Sequence, residues 1–137
     1  MQIELTDKQY RRLLDMVYIG NWVLNSARGV DRFRDYDEVE SLLFSQAPSR
    51  GMNDLSECWY GHVVPSQAFV NGGIHEAIAD YEDSVFFEIL AEELARRDMN
   101  DVPIDETNYD EWNRRIDEYM SEFEQHGTDN VQVDRDT

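Results

Sequence analysis

Asp54, Cys58 and His62 stand four residues apart and offer a carboxylate, a thiol and an imidazole, all of them zinc ligands. On a helix they would share one face. A short helix over 54–60 fits the local pattern, but Gly61 and the flanking loops argue against its running on through His62. A buried thiol beside a surface imidazole is the simpler reading. The same residues contain the parts of a thiolate–imidazole pair, with Trp59 and Tyr60 beside Cys58. Such pairs normally join distant parts of a chain and carry a third, orienting residue, and none is evident. His75 and His126 fit no H-E-x-x-H or Cys/His finger spacing. "NGGIHEA" at 71–77 lacks the lysine and spacing of a phosphate loop, and Glu76 and Asp80 would repel an anion there. No catalytic residue, metal or cofactor is expected.

Carboxylates are the abundant chemistry. Glu76, Asp80 and Asp83 fall on one helical stripe and Glu88 and Glu92 on another. Glu93, Asp98, Asp101, Asp105, Asp110 and Glu111 extend the acidic field. A general acid–base pair needs burial and divergent pKa values. A carboxylate-bridged metal centre wants Glu-x-x-His motifs, which are absent. Runs of this kind ordinarily form a solvated face; the functional alternative is a surface for a basic partner.

The charge supports that alternative. Thirty acids against twelve bases give −18. Residues 1–60 hold ten acids and seven bases, whereas residues 61–137 hold twenty acids and five bases. The balance argues against direct binding to nucleic acid or to an anionic membrane, since both need a basic patch. It suits a basic protein, including one whose own ligand is nucleic acid. The expected function is therefore a non-enzymatic acidic interaction protein. One concrete version is a nucleic-acid mimic that inhibits a nucleic-acid-binding enzyme, which a phage or mobile-element source would favour. Three alternatives stand beside it: a small housekeeping or regulatory domain whose charge serves only solubility, an antitoxin or immunity protein, and the metal or thiol site at Asp54, Cys58 and His62.

At 137 residues, 41% of them hydrophobic, the chain can bury a core without staples. No apolar run approaches the roughly 20 residues of a membrane span, and "MQIELTDKQY" lacks the pattern of a signal peptide. A lone cysteine suits a reducing cytosol, so a cytoplasmic location is expected.

These side chains must be carried by helices. Thr6-x-x-Gln9 has capping-box spacing, and the stripe Tyr10, Leu13, Leu14, Val17, Asn21, Leu24 follows it. Met16, Tyr18, Ile19, Trp22 and Val23 add apolar surface on other sides, so this first helix is expected to be buried nearly all round. Gly20 inside it points to a close helix crossing. Asp35–Glu38 looks like an acid-capped start of a second helix that Pro48 ends. Residues 47–73 hold two prolines and four glycines and form the least regular part. A third long helix is expected at about 74–97. Its two apolar lines, Ile74, Ile78, Tyr81, Val85, Ile89 and Phe86, Leu90, Leu94, call for neighbours on two sides. Asn108-x-x-Glu111 reads as a capping box for a last helix with the stripe Tyr109, Trp112, Ile116, Tyr119, Met120, Phe123, taken as core, and Gly127 as its C-cap.

Two stretches, "DYEDSVFFEILAEELARRD" at 80–98 and "YMSEFEQHGTDNVQV" at 119–133, resemble a group of small uncharacterised bacterial proteins. That group has an acidic "EYE…FWEELAERLAERD"-like helix and an "EFE-x-x-G" ending, and "YRRLLDMVYIGNWVLNSARG" is loosely similar to its start. Phe87 and Asn130 stand where the group usually has Trp and Arg. The resemblance implies a helical domain and no function. The chain is expected to be an all-α, single-domain bundle of four or five helices over 1–127. The tail, 128–137, is either frayed or paired with "QIEL" near the start in a short two-stranded ribbon joining the termini.

Overall fold

The computed structural model describes residues 1–135. It is mostly helical, with four long helices and one small antiparallel ribbon. Helix α1 spans Asp7–Asn25 and α2 spans Arg34–Phe44. Two single 3-10 turns, Pro48–Arg50 and Asn53–Leu55, lead into strands β1, Ser56–Trp59, and β2, His62–Pro65. The one-turn helix α3, Gln67–Phe69, passes through a wide turn at Val70–Ile74 into α4, His75–Asp98. Helix α5, Tyr109–His126, is the last element. No described helix is long and apolar enough to cross a membrane. The contacts divide the chain into two compact units, one through Ile78 and one from Ala79 onward.

In the N-terminal unit, α1 begins as its sequence requires. The Thr6 hydroxyl accepts from the Gln9 amide at 3.1 Å, and the Gln9 side chain accepts from the Thr6 amide at 3.0 Å. The buried line is Tyr10, Leu14, Asn21, Asn25, a narrower stripe than burial all round would give, and Met16 and Val23 lie open. Nothing lies within 4 Å of a Cβ built on Gly20, so no helix crosses there. Tyr10 and Leu14 join Phe44, Ala47 and Phe69 in the core, lined by Tyr18, Leu43, Met52, Leu55 and Val63. The Phe44 and Phe69 rings meet edge to face at 4.9 Å.

Below α1's apolar half the packing turns polar. Fully buried Asn25 donates to Asn21 Oδ1 at 2.7 Å and to the Phe33 carbonyl at 3.0 Å, while its own oxygen accepts from the Phe33 amide at 2.8 Å. One side chain thereby satisfies both backbone groups of the residue that precedes α2. Asn21 donates to Asp37, and Arg32 grips the same carboxylate through two bonds of 2.8 and 2.7 Å. Asp35 and Asp37 sit in the first turn of α2, where the helix dipole favours them, but Phe33 occupies the cap position and no side chain caps it.

The ribbon is the main departure from expectation. It pairs β1 with β2 rather than the two termini, with Cys58 opposite Val63 and Trp59 opposite His62. Met1–Thr6 and residues 131–135 take no regular structure, and the last two residues of the expected tail lie outside the described residues. The turn explains the pairing. Tyr60 and Gly61 both have positive φ, 47° and 81°, as the two central residues of a type I′ hairpin require. Asn-Gly is the usual pair there, so Tyr60 holds the left-handed conformation at a cost of about 1–2 kcal/mol.

In the C-terminal unit the buried residues along this line are Ala91 and Ala95 of α4 and Met99 just beyond its end, continuing from half-buried Phe87. Of the bulky lines expected to be buried, Tyr81, Phe86 and Ile89 are at least half exposed, whereas Ile78 is buried and Ile74, Val85, Leu90 and Leu94 are half-buried. Between α4 and α5, Phe87 packs on Phe123 at 5.2 Å, and the Arg96 guanidinium lies over Trp112. The α4 chain stops by turning left-handed at Asn100 and Asp101, whose amides bond back to Arg97 and Arg96. At α5 the expected capping box does not form. The Asn108 side chain instead accepts from the Asp105 amide and donates to the Pro103 carbonyl, and Glu111 pairs with Arg115. Gly127 closes α5 at φ 56°, its amide on the Phe123 carbonyl.

Candidate functional site: a carboxylate surface and an aromatic hairpin

The hairpin undoes the metal and thiol readings. Side chains alternate across a strand, so Cys58 shares a face with Val63 while His62 shares the opposite face with Trp59. Asp54 lies before the strand in a 3-10 turn. Three ligands that a helix would align are thus dispersed, and Cys58 is exposed rather than buried. Among the described residues no group of three His, Cys, Asp or Glu is placed to hold a metal ion.

The acids divide into paired and unpaired sets. Glu93 pairs with Arg96 at 2.7 Å, Asp98 with Arg97 at 2.9 Å and Glu111 with Arg115 at 2.9 Å. Asp98 also accepts from the Tyr119 hydroxyl, a short bond that holds the Asp98 carboxyl below its usual range and raises the Tyr119 phenol. Asp105 is turned inward on its own loop, accepting from the Thr107 hydroxyl at 2.6 Å and the Thr107 amide at 2.8 Å. Those bonds lower its pKa. The remaining candidates, Asp80, Asp83, Glu88, Glu92, Asp101 and Asp110, make no ion pair among the described residues, and all but half-buried Glu92 are exposed. Glu76, exposed in the first turn of α4, belongs to the N-terminal unit.

Their distribution matters as much as their number. At about 100° per residue, Asp80 and Asp83 lie within about 60° of each other. Glu88 and Glu92 sit farther around the helix, and Glu82 and Glu93 lie on a third side. The acids encircle α4 instead of forming a ridge.

Two groups escaped sequence reasoning. Tyr18 and His75 hydrogen-bond at 2.6 Å across 57 positions, Trp22 packs edge-on to the same imidazole at 5.7 Å, and both bonds tie the start of α4 to α1. Glu40 is the half-buried acid of this region. Burial raises its pKa, opposed by a hydrogen bond from Asn21. Tyr18 is raised by burial first and by Glu40 second. No local spacing announces these contacts, because each joins residues far apart in the chain. The other group is an apolar groove of about 620 Å³ lined by Ile3, Leu5, Leu13, Met16 and Leu43, with Lys8 and Arg12 also in its wall.

No protein-family model matches the chain, and neither a curated protein nor a solved structure shows significant similarity to it.

Proposed function

We propose that this chain is a non-enzymatic interaction protein whose C-terminal unit presents carboxylates to a basic surface on another protein. The observation that carries the reading is the run of acids on α4 from Asp80 to Glu92, in which Asp80, Glu82, Asp83, Glu88 and Glu92 make no ion pair among the described residues. Unpaired acids repel one another, and a cationic partner relieves that repulsion on contact. Such a field acts mainly on encounter rate and partner choice. Because the acids encircle the helix, the phosphate-mimic version, which needs a ridge, gains no support from this arrangement. The same distribution favours a second reading, in which the charge serves only solubility.

One comparison separates the two. The wild-type chain and a variant with Asp80→Asn, Asp83→Asn, Glu88→Gln and Glu92→Gln are used as baits in source-cell lysate at low and then moderate salt. A basic protein held by the wild type, released by salt and missed by the variant is expected. Retention that ignores both salt and the substitutions, or none at all beside a less soluble variant, would leave solubility as the function.

A further inference from the structure

The tip of the β1–β2 hairpin carries two large aromatic side chains that the fold does not use. Trp59 is 63% exposed and Tyr60 84% exposed. Their rings meet each other edge to face at 4.6 Å, and neither belongs to the core cluster. Alternation fixes what surrounds them. Val63, opposite Cys58, packs on the core, so that face of the ribbon is the inner one. Glu57, Trp59 and His62 share the outer face, with the Glu57 carboxylate two residues from the indole on the same strand.

Tyr60 sharpens the case. It holds a left-handed conformation that asparagine or glycine adopts far more readily. A bulky aromatic residue kept there without burial contributes nothing visible to the fold, and an outlier of this kind is a reason to look for function. Exposed Trp and Tyr are the side chains most often found at energetic centres of protein interfaces.

We propose that this tip is the anchor for an arginine-bearing segment of the basic partner, a guanidinium stacking on the face of one of the two perpendicular rings of Trp59 and Tyr60, against the edge of the other, with Glu57 as its counter-charge. The inference rests on the acidic-interaction reading and adds to it a separate contact on the N-terminal unit. Charge complementarity chooses the occupant. The unit that bears the hairpin holds eleven acids and seven bases, and residues 51–66 carry Asp54 and Glu57 and no lysine or arginine. Arginine suits an aromatic face better than lysine, because its planar guanidinium stacks and gives up its water more easily. The apolar groove beside α1 is the weaker candidate. Its Lys8 and Arg12 favour an anion, which the net charge repels at long range.

The test is the binding of fluorescein-labelled nona-arginine and nona-lysine to the full chain, read by anisotropy at low and moderate salt. Four proteins are compared: wild type, Trp59→Ala, Tyr60→Asn and the four-acid variant described above. Tyr60→Asn is the decisive one, since it installs the Asn-Gly turn and should leave the hairpin at least as stable in a thermal melt. Wild type is expected to prefer arginine over lysine at moderate salt. Trp59→Ala and Tyr60→Asn are each expected to weaken nona-arginine about three- to tenfold and to lose that preference. The four-acid variant should keep the preference while its salt dependence flattens. Unchanged affinity and preference in both hairpin variants would overturn the anchor and leave the acidic reading standing. Failure of the wild type to bind nona-arginine even at low salt would overturn both.

Discussion

The two units solve opposite problems. Through Ile78 the chain has eleven acids and seven bases, and it folds around Phe44, Phe69 and Leu14, all essentially sealed from water. From Ala79 onward there are nineteen acids and five bases, and among the described residues only Ala91, Ala95, Met99 and Phe123 are buried. The first unit gains stability from apolar area, at about 25 cal/mol per Å², and from a polar lock at its helix turn. The second keeps a thin seam between two helices and leaves its charge in water. One chain thus separates the region that holds shape from the region that projects a field.

The contrast can be broken most directly at Phe44. Phe44→Ala should cost about 3–5 kcal/mol, read as a shifted urea midpoint. Phe123→Ala, in the thinner seam, should cost less and be felt mainly in α4 and α5 by hydrogen exchange. Equal losses would mean that the second unit is as tightly packed as the first. Asn25→Ala ranks next. It strips both side-chain partners from the Phe33 backbone and leaves a cavity at a fully buried side chain, and should cost about 2–3 kcal/mol, with exchange rising in residues 26–34. Gly20→Ala should stabilise by about 1 kcal/mol, because the site is helical, open and free of any neighbour within 4 Å.

The smallest effects concern pH, where one acid from each unit should respond with opposite sign. Glu40 is raised in the folded state, so the fold binds its proton more tightly than the unfolded chain does. Its contribution is present below the ordinary glutamate range and lost as pH rises through its folded value. Glu40→Gln should flatten that decline. Asp98 is lowered by Tyr119, so its contribution is present above the ordinary aspartate range and lost as pH falls through its folded value. Asp98→Asn should flatten the acid limb alone. Stability curves of the two variants from pH 3 to 8 check both signs, and a shared direction would refute the assignment.

Local signals carried much of this architecture. The Thr6–Gln9 box, the Gly127 cap and the extents of α4 and α5 depend on neighbours three or four positions apart, and the structure has all of them, but of the α5 stripe expected as core only Phe123 is buried and Tyr109 is half exposed. The burial of α4 was misread for a physical reason. A periodicity count is weighted toward bulky residues, so it passes over Ala91 and Ala95, which are buried while Tyr81, Phe86 and Ile89 stay open. The hairpin was missed because Tyr-Gly is an unusual type I′ pair, and four-residue strands show too few alternations to compete with a helical reading of Asp54, Cys58 and His62.

Sequence by itself determined the charge and its lopsided placement, the helical periods and the helix starts and stops, since these need no knowledge of what lies across the fold. Only the tertiary structure decided which face of each helix is buried, that Asn25 rather than an apolar residue locks the first helix turn, and that Tyr18 meets His75. It also placed Trp59 and Tyr60 outside the core. Each of these depends on residues brought together across long stretches of chain, and packing, hydrogen-bond satisfaction and exposure are properties of that meeting rather than of any one segment.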